Sequence, residues 1–211
     1  MTRPAATVQT LDRGLRVLEL LAEAPDGLAV PELAAALAVH RAIVYRLLAT
    51  LAGRRLVVRG RDGRYRPGAG LVGLARGVAP RLQAAALPEL TALAEDLGAT
   101  ATLTVADGDE AVALAVVEPR TTRIHVAYRA GLRHPLTVGA SGRAILLGRP
   151  GADAGRGYAI SSGEIQPGAI GLAAPIPGAD ASVGVVSLVE LGESAAARVC
   201  SAAEAIAAAL G

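Results

Sequence analysis

Arginine side chains concentrated in one short stretch have the clearest chemical potential in this sequence. Two extended runs, residues 56–59 and 64–66, flank Gly60-Arg61-Asp62-Gly63, and Asp-Gly between extended runs is typical of a β-hairpin. The guanidinium groups on or just before this predicted hairpin belong to Arg54, Arg55, Arg59, Arg61, Arg64 and Arg66. Because guanidinium groups pair with phosphate oxygens, we expect the hairpin to contact a polyanion.

The segment before the hairpin has the pattern of a two-faced helix, from about Arg41 to Gly53. Its apolar stripe follows the i, i+3, i+4, i+7 spacing of a buried face and consists of Val44, Leu47, Leu48 and Leu51. Its other face carries small residues together with Arg41, Tyr45 and Arg46. Such a helix, placed behind a short turn, can enter the major groove of DNA. An ordinary surface helix with two arginines is the alternative interpretation.

The elements before this helix give it a context. Leucines at helical spacing from Thr10 predict a first helix, which Pro25-Asp26-Gly27 ends. Pro31 suits the first turn of a second helix, and residues 38–40 form a short break before the third. Three helices, a short turn and a basic hairpin, in this order, predict a winged helix-turn-helix domain over residues 7–66.

Charge is divided unevenly along the chain. Residues 1–81 contain 13 arginines and six acidic residues, whereas residues 82–211 contain 8 arginines and 13 acidic residues. This division favours a polyanion-binding N-terminal part and a C-terminal part with a different task. All basic residues are arginine, so the sequence excludes chemistry that depends on lysine.

Catalysis, metal binding and nucleotide binding find no support in the sequence. No Ser-His-Asp, Cys-His or paired-carboxylate spacing stands out, so we expect no enzyme and no cofactor. Cys200 is the single cysteine and cannot make a disulfide or a zinc site within the chain by itself. Gly68–Gly73 has the G-x-G-x-x-G spacing, but it follows a charged hairpin that ends at Pro67 instead of a buried strand, so the dinucleotide context is missing.

The C-terminal part reads as an α+β domain over residues 84–211, preceded by a linker helix within 67–83. We expect a helix over 84–97 that buries Leu87 and Leu90, then strands over 100–106, 111–118 and 122–128. A helix that begins at 139–142, apolar strands over 169–177 and 183–190, and an alanine-rich helix over 194–210 should follow. His125 is expected to be a strand residue and His134 a loop residue.

Several stretches resemble the IclR family of bacterial regulators. They lie in the family's order and cover nearly the whole chain: residues 11–21, Tyr45-Arg46-Leu47-Leu48-Ala49-Thr50-Leu51, Asp62-Gly63-Arg64-Tyr65-Arg66-Pro67-Gly68, residues 87–97, 131–136, 156–159 and 171–176. The resemblance implies a winged helix-turn-helix joined by a linker helix to a GAF-like α/β effector-binding domain. It implies a homodimer or dimer of dimers that binds a double-stranded DNA operator, with small organic acids as effectors.

Site residues follow from the resemblance and the pattern together. The expected DNA-binding residues are Arg41, Tyr45, Arg46, Arg59, Arg61 and Arg64. The resemblance places the effector-lining positions at Gly139, Ala140, Glu164, Gly171 and Ser187. Free N–H groups where a helix begins at Gly139 would favour a carboxylate. With a single cysteine and no apolar run of about 18 residues, a cytoplasmic protein without a membrane span is expected.

Two departures from the family's pattern leave an alternative open. Arg41-Ala42-Ile43 stands where family members often carry Lys-Ser-Thr, so a side-chain cap or phosphate contact is lost. The segment 148–155 is shorter than is usual, Gly171 stands where a cysteine is frequent, and Val189 stands where a second serine is frequent. The alternative is a ligand-binding or interaction module whose DNA-binding head is degenerate.

Overall fold

The amphipathic segments near the N-terminus fold as three helices in a computed structural model, which describes residues 8–120, 122, 126, 128–153 and 155–211. They are α1 (Gln9–Ala22), α2 (Val30–Ala36) and α3 (Arg41–Gly53). Their inward side chains form one core with the first strand: Val17, Leu21, Val30, Leu33, Ala34, Val44, Leu47, Leu48 and Val57. The chain bends by 108° between α2 and α3 across a four-residue break, which is the geometry of a helix-turn-helix.

The basic segment after α3 forms the expected hairpin. Strands β1 (Val57–Arg59) and β2 (Tyr65–Pro67) pair antiparallel, and the turn is closed by a hydrogen bond from Gly60 N to Arg64 O. Gly63 adopts a φ of 78° in this turn, a conformation that glycine tolerates without strain. The prediction of a winged helix-turn-helix is therefore confirmed.

A short helix, α4 (Gly70–Ala75), follows the hairpin within the stretch expected to hold a linker helix. The glycines before it serve close backbone packing. Gly70 N donates to Arg55 O, and a Cβ on Gly68 or Gly70 would collide with that same carbonyl oxygen. The G-x-G-x-x-G spacing of 68–73 thus has a structural explanation in this turn.

The chain separates into two compact units, residues up to Val78 and Ala79–Gly211, and each is described by itself. The domain boundaries expected from the sequence stay a prediction. The second unit begins with α5 (Pro80–Leu97), four residues earlier than expected. It continues with β3 (Thr100–Asp107), β4 (Glu110–Val117), β5 (Arg133–Pro135), α6 (Gly139–Leu147), β6 (Ala159–Ser162), β7 (Ile170–Pro175), β8 (Ala181–Ser187) and α7 (Glu193–Leu210).

Six strands of the second unit form one sheet in the order β5-β4-β3-β8-β7-β6, and all neighbouring strands are antiparallel. Helices α5 and α7 pack on one face, where Leu90, Leu103 and Val183 belong to a wholly apolar core. Helix α6 packs on the other face, against small and polar residues. There, the Ser182 hydroxyl donates to Ser141 O. The predicted α+β class is confirmed, and the difference between the two faces leaves room for a polar site beside α6.

Three sequence expectations need comment here. The expected strand 122–128 falls largely on residues outside the described part of the chain, and His125 lies there too. The expectation that His134 is a loop residue is wrong, because His134 lies in β5 and is buried. The expectation that Leu87 is buried is also wrong, because α5 turns Ala86 and Leu90 toward the core and leaves Leu87 exposed.

Among the described residues, no single helix is long and apolar enough to cross a membrane. The pair α2 and α3 passes that test by length and composition only when the two are taken together across their 108° bend.

Candidate functional site

The outward face of α3 is the first candidate site. Because Val44, Leu47 and Leu48 point into the core, the helical repeat turns Arg41, Tyr45 and Arg46 toward solvent. Tyr45 is 57% exposed, which is high for a side chain of its size. Ala42 and Ala49, also exposed, keep this face free of bulky side chains. The face can therefore approach another surface closely.

The hairpin arginines divide into two kinds. Arg59 and Arg61 are exposed, and the Arg59 guanidinium lies 5.9 Å from the centre of the Tyr65 ring. Arg64 points back into the unit: its Nε donates to Gly27 O at 2.9 Å, and its Nη2 lies 2.8 Å from Glu32 Oε2.

Arg66 forms a two-pronged ion pair with Asp62, with distances of 3.2 and 2.7 Å. This pair, together with a backbone hydrogen bond from Arg64, lowers the pKa of Asp62 to about 2. Arg64 thus anchors the hairpin to the rest of the unit and Arg66 stabilises its turn, while Arg59 and Arg61 extend from it.

Unpaired positive charge marks this surface. In the described part of the first unit, the ion pairs are Arg16–Glu19, Arg64–Glu32 and Arg66–Asp62. No acidic partner contacts Arg41, Arg46, Arg59 or Arg61 among the residues that the structure describes. Their charge is therefore directed at solvent on α3 and on the hairpin.

Arg13 is a basic residue that sequence reasoning missed. It lines the same surface hollow as Arg46 and Ile43, next to Thr10. Arg13 is partly exposed on α1, so it extends the positive surface beside α3. Its position outside the apolar stripe of α1 is the only signal that the sequence offers.

The second candidate site lies where α6 begins. A cavity of about 30 Å³ is lined by residues of β3, α6, β6, β7, β8 and the turn 163–169. That volume has room for about one or two water molecules. Three of the five effector positions expected from the family, Ala140, Glu164 and Gly171, line it.

The first amide of α6 is already occupied by a carboxylate of the protein itself. Gly139 N donates to Glu164 Oε2 at 2.9 Å. Arg143, one turn further along α6, grips the same carboxylate with distances of 2.7 and 2.9 Å. These hydrogen bonds lower the pKa of Glu164 to about 2. Those from Arg143 have the larger effect, and the one from the Gly139 amide the next largest. Glu164 is therefore an anion at neutral pH.

The second amide of α6 is capped by a serine. Ala140 N donates to the Ser161 hydroxyl at 3.0 Å. Gly171 lies directly opposite, and a Cβ there would stand 2.7 Å from Ser161 Oγ and 3.2 Å from the Ala140 side chain. A glycine where relatives often carry cysteine thus leaves room for the serine cap.

A buried polar network adjoins this cavity. The Ser141 hydroxyl lies 3.3 Å from His134 Nε2, and His134 Nδ1 lies 3.1 Å from Pro135 O. Burial raises the pKa of Tyr128, and a hydrogen bond with Ser141 partly offsets this effect. His134 therefore contacts a residue of the cavity wall, Ser141, which the sequence did not reveal.

One hydroxyl in the cavity wall has no partner. Thr102 is 3% exposed and lines the cavity, and no residue that the structure describes forms a hydrogen bond with its side chain. Because it faces the cavity, this hydroxyl is open to water or a ligand there. The buried hydroxyl that has no partner among the described residues is Thr104 Oγ1, further along β3, and such a group costs free energy unless something satisfies it.

The remaining expected effector residue is Ser187, at the end of β8. Its hydroxyl oxygen accepts a hydrogen bond from Val189 N at 3.0 Å. As for metals, no three His, Cys, Asp or Glu side chains within the described ranges form a group that could hold an ion.

Both units are similar to domains of known proteins. The model of the IclR helix-turn-helix domain matches residues 10–61, and that of the bacterial transcriptional regulator IclR C-terminal domain matches residues 79–154. The HTH-type transcriptional regulator Rv1719 of Mycobacterium tuberculosis is 32% identical over 145 residues, and the acetate operon repressor of Salmonella typhimurium is 31% identical over 155. Each match covers 68% of this chain and little more than half of the relative, 55% and 57%.

Solved structures share the fold. The IclR regulator of Alicyclobacillus acidocaldarius has a TM-score of 0.80 at 23% identity, covering 98% of this chain and 100% of that one. An IclR homologue of Microbacterium hydrocarbonoxydans, solved with 4-hydroxybenzoate, has a TM-score of 0.81 at 24% identity, covering 95% and 98%.

A helix-turn-helix unit followed by an α/β unit, matched by these two models in sequence order, defines a class of bacterial transcriptional regulators. Within that class, this chain belongs to the IclR family. The family consists of regulators, which agrees with the expectation that the chain is not an enzyme.

Proposed function

We propose that the chain regulates transcription by binding an operator with α3 in the major groove and the β1–β2 hairpin as a wing on the neighbouring backbone. One observation carries this proposal: the exposed arginines of α3 and the hairpin have no acidic partner among the described residues, although acids lie nearby. Surface charge left unpaired in this way is available for phosphates, and binding to them releases counterions from DNA.

Roles for the individual side chains follow from their positions. Tyr45 and Arg46 would contact base edges, and Arg41 would contact a phosphate where α3 begins. Arg59 and Arg61 would hold the backbone from the wing. Arg64, predicted from the sequence to bind DNA, would contribute mainly through its ion pair with Glu32, which fixes the hairpin.

The operator test uses fluorescence anisotropy with the DNA upstream of the gene for this chain. Arg46→Ala should weaken binding by ~1–3 kcal/mol, because it removes a base or backbone contact, and should leave the melting temperature unchanged. Arg156→Ala is the matched control, because it removes an exposed arginine of the second unit. Equal binding by the Arg46→Ala and Arg156→Ala proteins would refute the interface. No binding by the wild-type chain would favour the alternative, a ligand-binding module with a degenerate head.

We further propose that a small organic acid binds beside α6 and changes operator affinity. The site combines Arg143 with the first two amides of α6, which Glu164 and Ser161 occupy, beside a cavity, and a structurally similar protein was solved with 4-hydroxybenzoate. An effector that prefers one conformation would shift the populations of DNA-binding and non-binding states. A thermal-shift screen of small carboxylates and aromatic acids tests this, since a ligand of the folded state raises its melting temperature.

A homodimer, or a dimer of dimers, is the assembly that we propose. Large apolar side chains are exposed on the first unit: Leu11, Leu15, Val72 and Leu74. Contact between two copies would bury them, and a two-fold assembly would match a palindromic operator. Light scattering of the purified chain tests this directly.

A further inference from the structure

The Glu164 carboxylate is bound to the first amide of α6, beside the cavity, where it would compete with a ligand. We propose that the Glu164 side chain fills the position of the carboxylate of a small monocarboxylate ligand, and that such a ligand binds by displacing Glu164 from Gly139 and Arg143. This inference rests on the effector site proposed above. According to this proposal, Arg143 and Thr102 bind the ligand. Glu164 instead competes with it for Gly139 and Arg143, and so excludes ligands that bind weakly.

Geometry supports the exchange of one carboxylate for another. Glu164 already receives the hydrogen bonds that an incoming carboxylate would need, one from Gly139 N and two from Arg143. Arg143 does not depend on Glu164 for its position, because its Nη2 also donates to Ile160 O at 2.6 Å. When the Glu164 carboxylate leaves, a preorganised two-sided anion site remains.

The turn that carries Glu164, residues 163–168, forms a short strap beside the cavity. Gly163 and Gly168 bracket it, with φ values of 67° and 78°. Of the residues between them, Glu164 and Gln166 are exposed, and their contact with α6 is made chiefly through the Glu164 carboxylate and the Ile165 side chain. The strap therefore closes the cavity through very few contacts.

Cavity size indicates that the strap must open for a ligand to enter. With Glu164 in place, about 30 Å³ remains, too little for a carboxylic acid of several carbon atoms. The Thr102 side chain lines the same cavity, so its hydroxyl can then form a hydrogen bond with a polar group on the part of the ligand that enters behind its carboxylate.

The decisive experiment removes the Glu164 carboxylate by mutation and supplies acetate in solution to replace it. Glu164→Ala removes a CH₂–COO⁻ fragment, so acetate has the size and charge to refill the position. We expect acetate to raise the melting temperature of the Glu164→Ala protein saturably, and to bind it at least about tenfold more tightly than the wild-type chain, as measured by calorimetry at constant ionic strength. Acetamide, equal in size but neutral, should have no such effect.

Controls make the result specific. Glu110→Ala is the matched variant, since it removes an equal fragment from an ion pair with Arg133 in the same unit, away from the cavity. It should not gain acetate binding. If the Glu164→Ala protein does not fold, Glu164→Gln replaces it: the neutral amide keeps its shape, holds Arg143 weakly, and should also bind acetate more tightly than wild type.

Three outcomes would overturn the proposal: equal acetate affinity in wild type and both Glu164 variants, an equal response to acetamide, or an equal gain in the Glu110→Ala protein. None of these measurements involves DNA. A failure here with intact operator binding would thus leave the proposed regulator function standing, whereas a failure of operator binding alone would leave this inference standing.

Discussion

Pairing determines what each arginine of the first unit can do. Arg64 donates hydrogen bonds to Gly27 O and Glu32, and Arg66 donates to Asp62, so all these bonds lie within the first unit. Arg46 and Arg61 have no acidic partner among the described residues, so their guanidinium groups are available to bind another molecule. The sequence showed the cluster of charge, but it could not show this division, because Glu32 lies 32 residues away from Arg64 along the chain.

Two alanine variants separate these roles. Arg61→Ala should weaken operator binding while leaving the free energy of unfolding unchanged. Arg64→Ala should lower the free energy of unfolding slightly, because it removes the bond to Gly27 O and a partly exposed ion pair with Glu32, and should also weaken DNA binding by loosening the hairpin. Urea titration and anisotropy measure the two effects. Unchanged stability in the Arg64→Ala protein would contradict the structural role.

Glu164 gives the second unit an acid-sensitive contact. Its pKa is lowered from 4.5 to about 2 by Arg143 and by the Gly139 amide. Because the folded-state pKa lies below the unfolded one, this contact stabilises the fold fully above pH 4.5, and its contribution is lost as the pH falls toward 2.

Melting temperatures between pH 6 and pH 2 should therefore fall less steeply for Glu164→Gln than for wild type. Asp62 in the first unit titrates over a similar range, so the difference between the two proteins, measured by calorimetry, isolates Glu164. Parallel curves for the two proteins would show that the carboxylate contributes nothing to stability.

At the scale of elements, α3 begins without a side-chain cap. His40 occupies the N-cap position in an extended conformation, and its side chain makes no capping hydrogen bond. The departure at Arg41-Ala42-Ile43, noted in the sequence, therefore has a structural counterpart, since no neighbouring hydroxyl replaces the missing cap. The stability of α3 depends instead on Val44, Leu47 and Leu48 in the core.

A designed cap should stabilise this helix. His40→Ser places a hydroxyl where it can accept a hydrogen bond from the first turn, which should raise the free energy of unfolding by ~0.5–1 kcal/mol relative to His40→Ala. Operator affinity should not decrease, because the exposed face of α3 is unchanged. Chemical denaturation and anisotropy provide the measurements, and equal stability of the two variants would argue against an uncapped helix start.

Periodicity predicted the long elements well and the short ones poorly. The expected bounds of α3 agree with the structure because its apolar stripe is regular and its ends are marked by turns. Strands β5 and β6 have only three and four residues, too few for a readable pattern. In α5 the stripe was misjudged at Leu87, because the helix buries the small side chains of Ala86 and Ala94 against an alanine-rich α7.

At the scale of the whole molecule, two units carry two kinds of surface. The first unit holds the excess of arginine and the second the excess of acid, a division visible in the sequence. The effector positions taken from the family resemblance lead to the region where α6 begins. The sequence could not reveal that Glu164 and Ser161 already cap this helix, because those contacts join residues 25 and 21 positions apart.

The salt dependence of operator binding tests the central claim most directly. If the arginines of α3 and the hairpin contact phosphates, the logarithm of the binding constant should fall steeply and linearly with the logarithm of the salt concentration, and Arg61→Ala should reduce that slope by about one. A slope near zero for the wild-type chain, or an identical slope for the Arg61→Ala protein, would contradict the claim that this surface binds DNA.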